Sequence, residues 1–122
     1  ETDKVLGPLA RQMRPDLILV SAGFDIHRGD PLASWRLSDT GCAALTRFTL
    51  DLAAEICDGR VVLVLEGGYD LPALRECVAA VLAELDGRSF TRPGGGEESV
   101  VTRRIIDHAR RIHGRYWKCF AR

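Results

Sequence analysis

The stretch LILVSAGFDIHRGDPL, residues 17–32, drives four consecutive apolar residues into Ser21-Ala22-Gly23 and then sets Asp25, His27 and Asp30 within six positions. Unbroken apolarity, in place of alternation, predicts a strand over Leu17–Val20 that is buried on both faces, as in a parallel sheet. A second run of this kind, VVLVLEGGYD at residues 61–70, predicts a strand over Val61–Leu65 and also leaves through glycine. Between the two, Cys42, Leu45, Phe48, Thr49, Leu52, Ala53 and Ile56 recur at steps of three and four. They predict an amphipathic helix over Ser38–Cys57, capped by Ser38 or Asp39 and closed by Gly59. Leu71–Leu85 predicts a further helix, with Asp70 as its cap, Pro72 in the first turn and Gly87 beyond.

Strand, helix, strand, helix is a βαβ arrangement, whose strands run parallel with a right-handed crossover. Both strands then end on one edge of the sheet, and in open α/β sheets the chemistry gathers at that edge. Asp25 and Tyr69 stand just past the two glycine exits, on strands about 4.8 Å apart. They are expected to face one shared pocket.

Outside this unit, Val5–Met13 reads as the end of a helix stopped at Arg14-Pro15, since proline disfavours helix at the residue before it. SFTRPGGGEES, residues 89–99, reads as a linker by composition. Val101, Ile105, Ala109, Ile112 and Tyr116 mark a last amphipathic helix. Trp35 and Trp117 read as packing residues, and His108 and His113 are spaced wrongly for a two-histidine metal pair.

The 122 residues are about one small domain, and 46% apolar with 28% charged residues is ordinary for a globular protein. No apolar run approaches the roughly 18 residues of a membrane span, and the N-terminus carries no signal pattern. The expectation is a soluble, cytoplasmic protein without membrane contact. Cys42, Cys57, Cys77 and Cys119 form no C-x-x-C pair and read as small hydrophobes. The net charge is zero, but residues 1–101 hold ten Lys or Arg against sixteen Asp or Glu. The remainder holds seven basic residues against Asp107 alone. That basic block is read as a helix face docking on its own acidic domain; nucleic acid, for which no motif is present, is not expected as a partner.

The polar exits admit several readings. Asp25 is a turn residue, a partner of Arg28 or a metal ligand. Tyr69 packs on its loop or aims its phenol into a cleft. A phosphate loop is disfavoured, because EGGYD lacks both G-x-G-x-x-G and the P-loop lysine.

RPDLILVSAGFDIHRGDPL followed by VVLVLEGGYDLPAL closely resembles the zinc-dependent histone deacetylase family, in its class II, acetylpolyamine amidohydrolase and acetoin-utilisation branches. The resemblance runs from about Val5 to Leu85 and is loose beyond Gly87. It implies an arginase-like α/β fold with a parallel sheet. By position, Asp25 resembles the family's third zinc ligand, and Tyr69 the tyrosine that donates to the substrate carbonyl as it becomes an oxyanion. Leu32 resembles a residue of the acyl channel, with Gly67 and Gly68 beside it; His27 falls where the family does not use a zinc ligand. The family implies zinc as cofactor and an acetylated amine, acetyl-lysine or acetylated polyamine, as substrate.

The family's Asp-x-His pair and tandem histidines belong upstream of SAGFD, and the 24 residues before Asp25 contain no histidine. The expectation is the C-terminal part of a deacetylase-like domain over 1–87, a Gly/Pro linker over 88–98 and a basic helix over 99–122. Such a piece is expected to be inactive alone, to need no bound metal, and to associate with copies of itself or with a missing N-terminal half. The competing reading is a non-catalytic oligomerising or partner-binding module.

Overall fold

The computed structural model describes residues 2–88 and 99–121. They form two compact units, one built from helices near the two ends of the sequence and one from the strands and helices between them. The expected linker, apart from Arg88, lies outside the described residues.

The central unit contains β1 (Ile18–Ala22), α2 (Asp39–Ile56), β2 (Val61–Leu65) and α3 (Leu71–Leu85). The strands pair in parallel, with Ile18 opposite Val61 and Ala22 opposite Leu65, as the βαβ reading requires. Ser38 caps α2 by accepting from the Gly41 amide, and Asp70 caps α3 by accepting from the Ala73 amide. Past the end of α2, Asp58 and Gly59 both adopt left-handed backbone, which turns the chain back into β2. Pro72 sits in the first turn of α3, where its missing N–H costs nothing.

Phe24, Cys42, Cys77 and Val81 form the centre of the core, with Ala22, Leu37, Leu63, Leu74 and Val78 packed around them. α2 and α3 pack side by side, and short residues on both are buried: Ala43 and Ala53 on α2, Ala73 and Ala80 on α3. The Cys42 thiol lies 3.2 Å from the Cys77 sulfur. Burial, reinforced by Cys77, pushes the Cys42 thiol up from an ordinary 9.0 to about 12. Arg47 on α2 reaches Glu84 on α3 at 3.6 Å, so the helix contact also holds a buried carboxylate beside a cation.

Burial on both faces, expected of the strands, holds for one face only. Ile18, Val20, Val61 and Leu63 are partly covered, whereas Leu19 is 67% exposed and Val62 and Val64 are exposed beside it. The reason is geometric: in a parallel pair, side chains alternate between faces, and α2 and α3 supply one covering layer. Trp35, expected to pack, is also exposed on the loop after β1.

The other unit contains α1 (Thr2–Met13), α4 (Val100–His113) and the short 3-10 helix η1 (Lys118–Phe120). Pro8 lies inside α1 and has no N–H to return to the Lys4 carbonyl one turn earlier. Arg110 of α4 donates to that carbonyl at 3.0 Å, and the Cys119 amide donates to Gln12 Oε1 at 2.7 Å. On α4 the buried residue is Ile106; Val101, Ile105 and Ile112, which mark the apolar stripe in the sequence, are exposed. No helix among the described residues is long and apolar enough to cross a membrane.

The thiol environments predict a labelling order. Cys119 is exposed, whereas Cys42, Cys57 and Cys77 are buried. Alkylation of the folded chain followed by mass spectrometry is expected to modify Cys119 first and the other three only with denaturant. Because the neutral Cys42 thiol is favoured by folding, the stability it confers is held below pH 9 and lost as pH rises toward 12. Rapid labelling of Cys42 at neutral pH would contradict this packing.

Candidate active site

The pairing of the strands continues past their ends. The Glu66 amide donates to the Ala22 carbonyl at 3.1 Å, and the Phe24 amide donates to the Gly67 carbonyl at 2.8 Å. These bonds zip the two glycine exits together. The loop carrying Asp25 and the loop carrying Tyr69 therefore lie along one rim.

Glycine at this rim makes room for the protein's own side chains. A Cβ on Gly23 would stand 2.7 Å from Asp25 Oδ1, and one on Gly67 would stand 3.0 Å from the same atom. The Asp25 carboxylate thus occupies the space that two absent side chains leave. Gly68 has φ of +137° and a Cβ there would come within 3.1 Å of Phe24 and Leu74, so glycine is required on both conformational and packing grounds. No ion pair joins Asp25 to Arg28 among the described residues.

Tyr69 is 58% exposed and Leu32 is 72% exposed, each at the tip of its own loop. What holds their backbones is Asp30, only 8% exposed. Its Oδ2 accepts from the Tyr69 amide and its Oδ1 from the Leu32 amide, both at 2.8 Å. Burial raises the Asp30 carboxyl, but the hydrogen bonds from the Tyr69 and Leu32 amides, with the Ala33 and Asp70 amides nearby, favour its charged form and hold it below its ordinary value. The charged tie is therefore intact at neutral pH and is lost only as acid takes the pH below that range. In the sequence Asp30 stands close to Asp25 and His27 with no role of its own. The signal available was Asp-Pro after glycine, a common turn pattern, which does not reveal a partner 39 residues away.

His27 is taken up locally: its Nδ1 accepts from the Gly29 amide at 3.1 Å, and its backbone bridges to Leu37. Asp70 serves α3 as its cap, and a Cβ on Gly29 would meet its Oδ2 at 2.6 Å. The rim therefore presents one half-buried carboxylate, Asp25, and one exposed phenol, Tyr69. A catalytic zinc centre takes about three protein ligands and an open position. Among the described residues no group of three or more His, Cys, Asp or Glu is placed to hold a metal ion. These residues alone do not complete such a centre.

The glycine contacts can be tested directly. Gly68→Ala is expected to destabilise the chain by about 1–3 kcal/mol, because alanine is strained at this backbone conformation. Gly67→Ala should cost less but displace the Asp25 carboxylate, read as a change in its carboxyl carbon shift by NMR. An unmoved Asp25 signal would refute the shared space.

Comparison with known proteins agrees with the geometry. Residues 2–85 match the model of the histone deacetylase domain. A protein of Archaeoglobus fulgidus named "Probable deacetylase" is 33% identical over 97% of this chain, and Histone deacetylase 7 of Homo sapiens is 36% identical over 97%. The chain spans 37% of the first and 13% of the second. Among solved structures, the histone deacetylase Clr3 superposes over 98% of this chain and 19% of its own, with TM-score 0.86 and 30% identity. The HDA15 HD domain does so over 98% of this chain and 32% of its own, with TM-score 0.82 and 29% identity. The parallel α/β architecture is thus that of the deacetylase fold. Matched over most of its length, the chain belongs to the histone deacetylase family.

Proposed function

We propose that this chain supplies one rim of a zinc-dependent amidohydrolase site, acting on acetyl-lysine or an acetylated polyamine within a longer protein. The observation that carries this reading is the pair of backbone bonds that zip the exits of β1 and β2, setting the Asp25 and Tyr69 loops side by side. In this reading Asp25 is one metal ligand. The other ligands and the general base belong to the part of the relatives' length that this chain does not span. Alone, the chain would then lack turnover.

Tyr69 performs the step that this chain can perform itself. Its phenol donates a hydrogen bond to the acyl carbonyl oxygen as that oxygen gains negative charge, an effect commonly worth about 3 kcal/mol per donor. Leu32 lines the passage for the acyl chain, with Gly67 and Gly68 contributing backbone without bulk. The leaving group is the amine, and the other product is acetate.

A second reading is a partner-binding or self-associating module, favoured by the exposed apolar stripe of Leu19, Val62 and Val64 on one face of the sheet. Contiguous apolar surface of this kind is characteristic of contact sites.

In the longer enzyme, Tyr69→Phe is expected to lower kcat by about 10²–10³ with zinc content unchanged, and Asp25→Ala to lose both zinc and turnover. Full turnover by Tyr69→Phe would remove the role assigned to the phenol. For the second reading, light scattering should show the 122-residue chain as more than a monomer, and Leu19→Ser with Val62→Thr should reduce its mass. A monomer at all concentrations rejects self-association.

A further inference from the structure

We infer that Asp30 is a positioning residue that couples the two walls of the rim, holding the Tyr69 loop and the Leu32 loop at a fixed separation through one carboxylate. The inference rests on the functional reading above for its consequence, but its geometry stands without it. Each oxygen of Asp30 serves one loop: Oδ1 takes the Leu32 amide and Oδ2 the Tyr69 amide, both at 2.8 Å. Each loop thus contributes one amide donor to the same carboxylate. A carboxylate is planar and rigid, and hydrogen bonds to a charged acceptor are the strong ones.

The side chains these amides carry are among the most exposed at the rim, Leu32 and Tyr69. Their side chains therefore take little restraint from packing, and the backbone tie becomes the means by which their separation is set. The second loop is pre-shaped for this role. The left-handed backbone of Gly68 precedes the Tyr69 amide, and the Asp70 cap fixes the next residue to α3. On the other side, Pro31 locks the backbone between Asp30 and Leu32. The spacing of phenol and channel wall is what an acyl group would measure on entering. Asp30 would act on substrate through Tyr69 and Leu32 without touching it.

The test begins with amide hydrogen exchange in the unmutated 122-residue chain. One carboxylate holding both loops predicts that the Tyr69 and Leu32 amides open together, with protection factors within about threefold of each other. Protection that differs by more than tenfold overturns the coupling. In Asp30→Asn, which keeps the shape and loses the charge, both amides should exchange about tenfold to a hundredfold faster, the factor expected for losing a hydrogen bond to a charged acceptor. Amides of β1 and β2 should be unchanged; equal loss throughout the sheet would show a merely structural role and overturn the proposal. In a longer enzyme with deacetylase activity, Asp30→Asn should lower kcat/KM in the native background and have a clearly smaller effect in Tyr69→Phe, where only the Leu32 wall is left for it to disturb. Effects that multiply would show that Asp30 does not act through Tyr69. If the longer protein has no deacetylase activity, the functional reading falls, while the exchange experiment still decides the coupling.

Discussion

The parallel register of β1 and β2 is the constraint on which the rim depends. A parallel pair brings equivalent ends together, so whatever follows each strand must share one edge. Here the backbone pairing does not stop at Ala22 and Leu65 but continues through Glu66 to Ala22 and Phe24 to Gly67. The exits are thereby fixed by main-chain bonds, which carry no side-chain entropy. Glycine then has a specific task at Gly23 and Gly67: it clears the volume that the Asp25 carboxylate fills.

Much of this frame was legible in the sequence. β2 and α3 fall at the expected residues, and the Ser38 and Asp70 caps act as their positions require, because these features depend on local chemistry. The features that escaped depend on what lies opposite. A run of valines says that a strand is apolar on both sides, but it cannot say whether a covering layer exists for each; hence Leu19 and Val64 on an open face. The rotation of α4 escaped for a similar reason. Its stripe of Val101, Ile105 and Ile112 has the stronger periodicity, yet Ile106 is the residue that is buried. Of the candidate site, the meeting of the Asp25 and Tyr69 loops at one sheet edge was readable from the repeated strand-to-glycine pattern. The bond from Asp30 to the Tyr69 amide was not, since nothing local to either residue announces it.

The helical unit shows how a backbone defect is absorbed. Proline inside α1 removes one donor from the helix, and a carbonyl left in that way needs another partner. The Arg110 guanidinium supplies one at 3.0 Å, with a charge-assisted bond stronger than the amide bond it replaces. The basic residues of α4 are therefore not all a solvated face, and at least one of them is part of how two helices recognise each other.

The bond between Asp30 and Tyr69 spans 39 residues, and the helix α2 lies wholly inside that span. A contact of such long sequence separation forms only after the intervening chain has closed, at an entropic cost that local turns do not meet. The rim thus depends on the closed fold and is not a property of the EGGYD peptide alone. An excised segment around Tyr69 would keep its residues and lose its architecture, because the carboxylate that holds its amide lies 39 residues away.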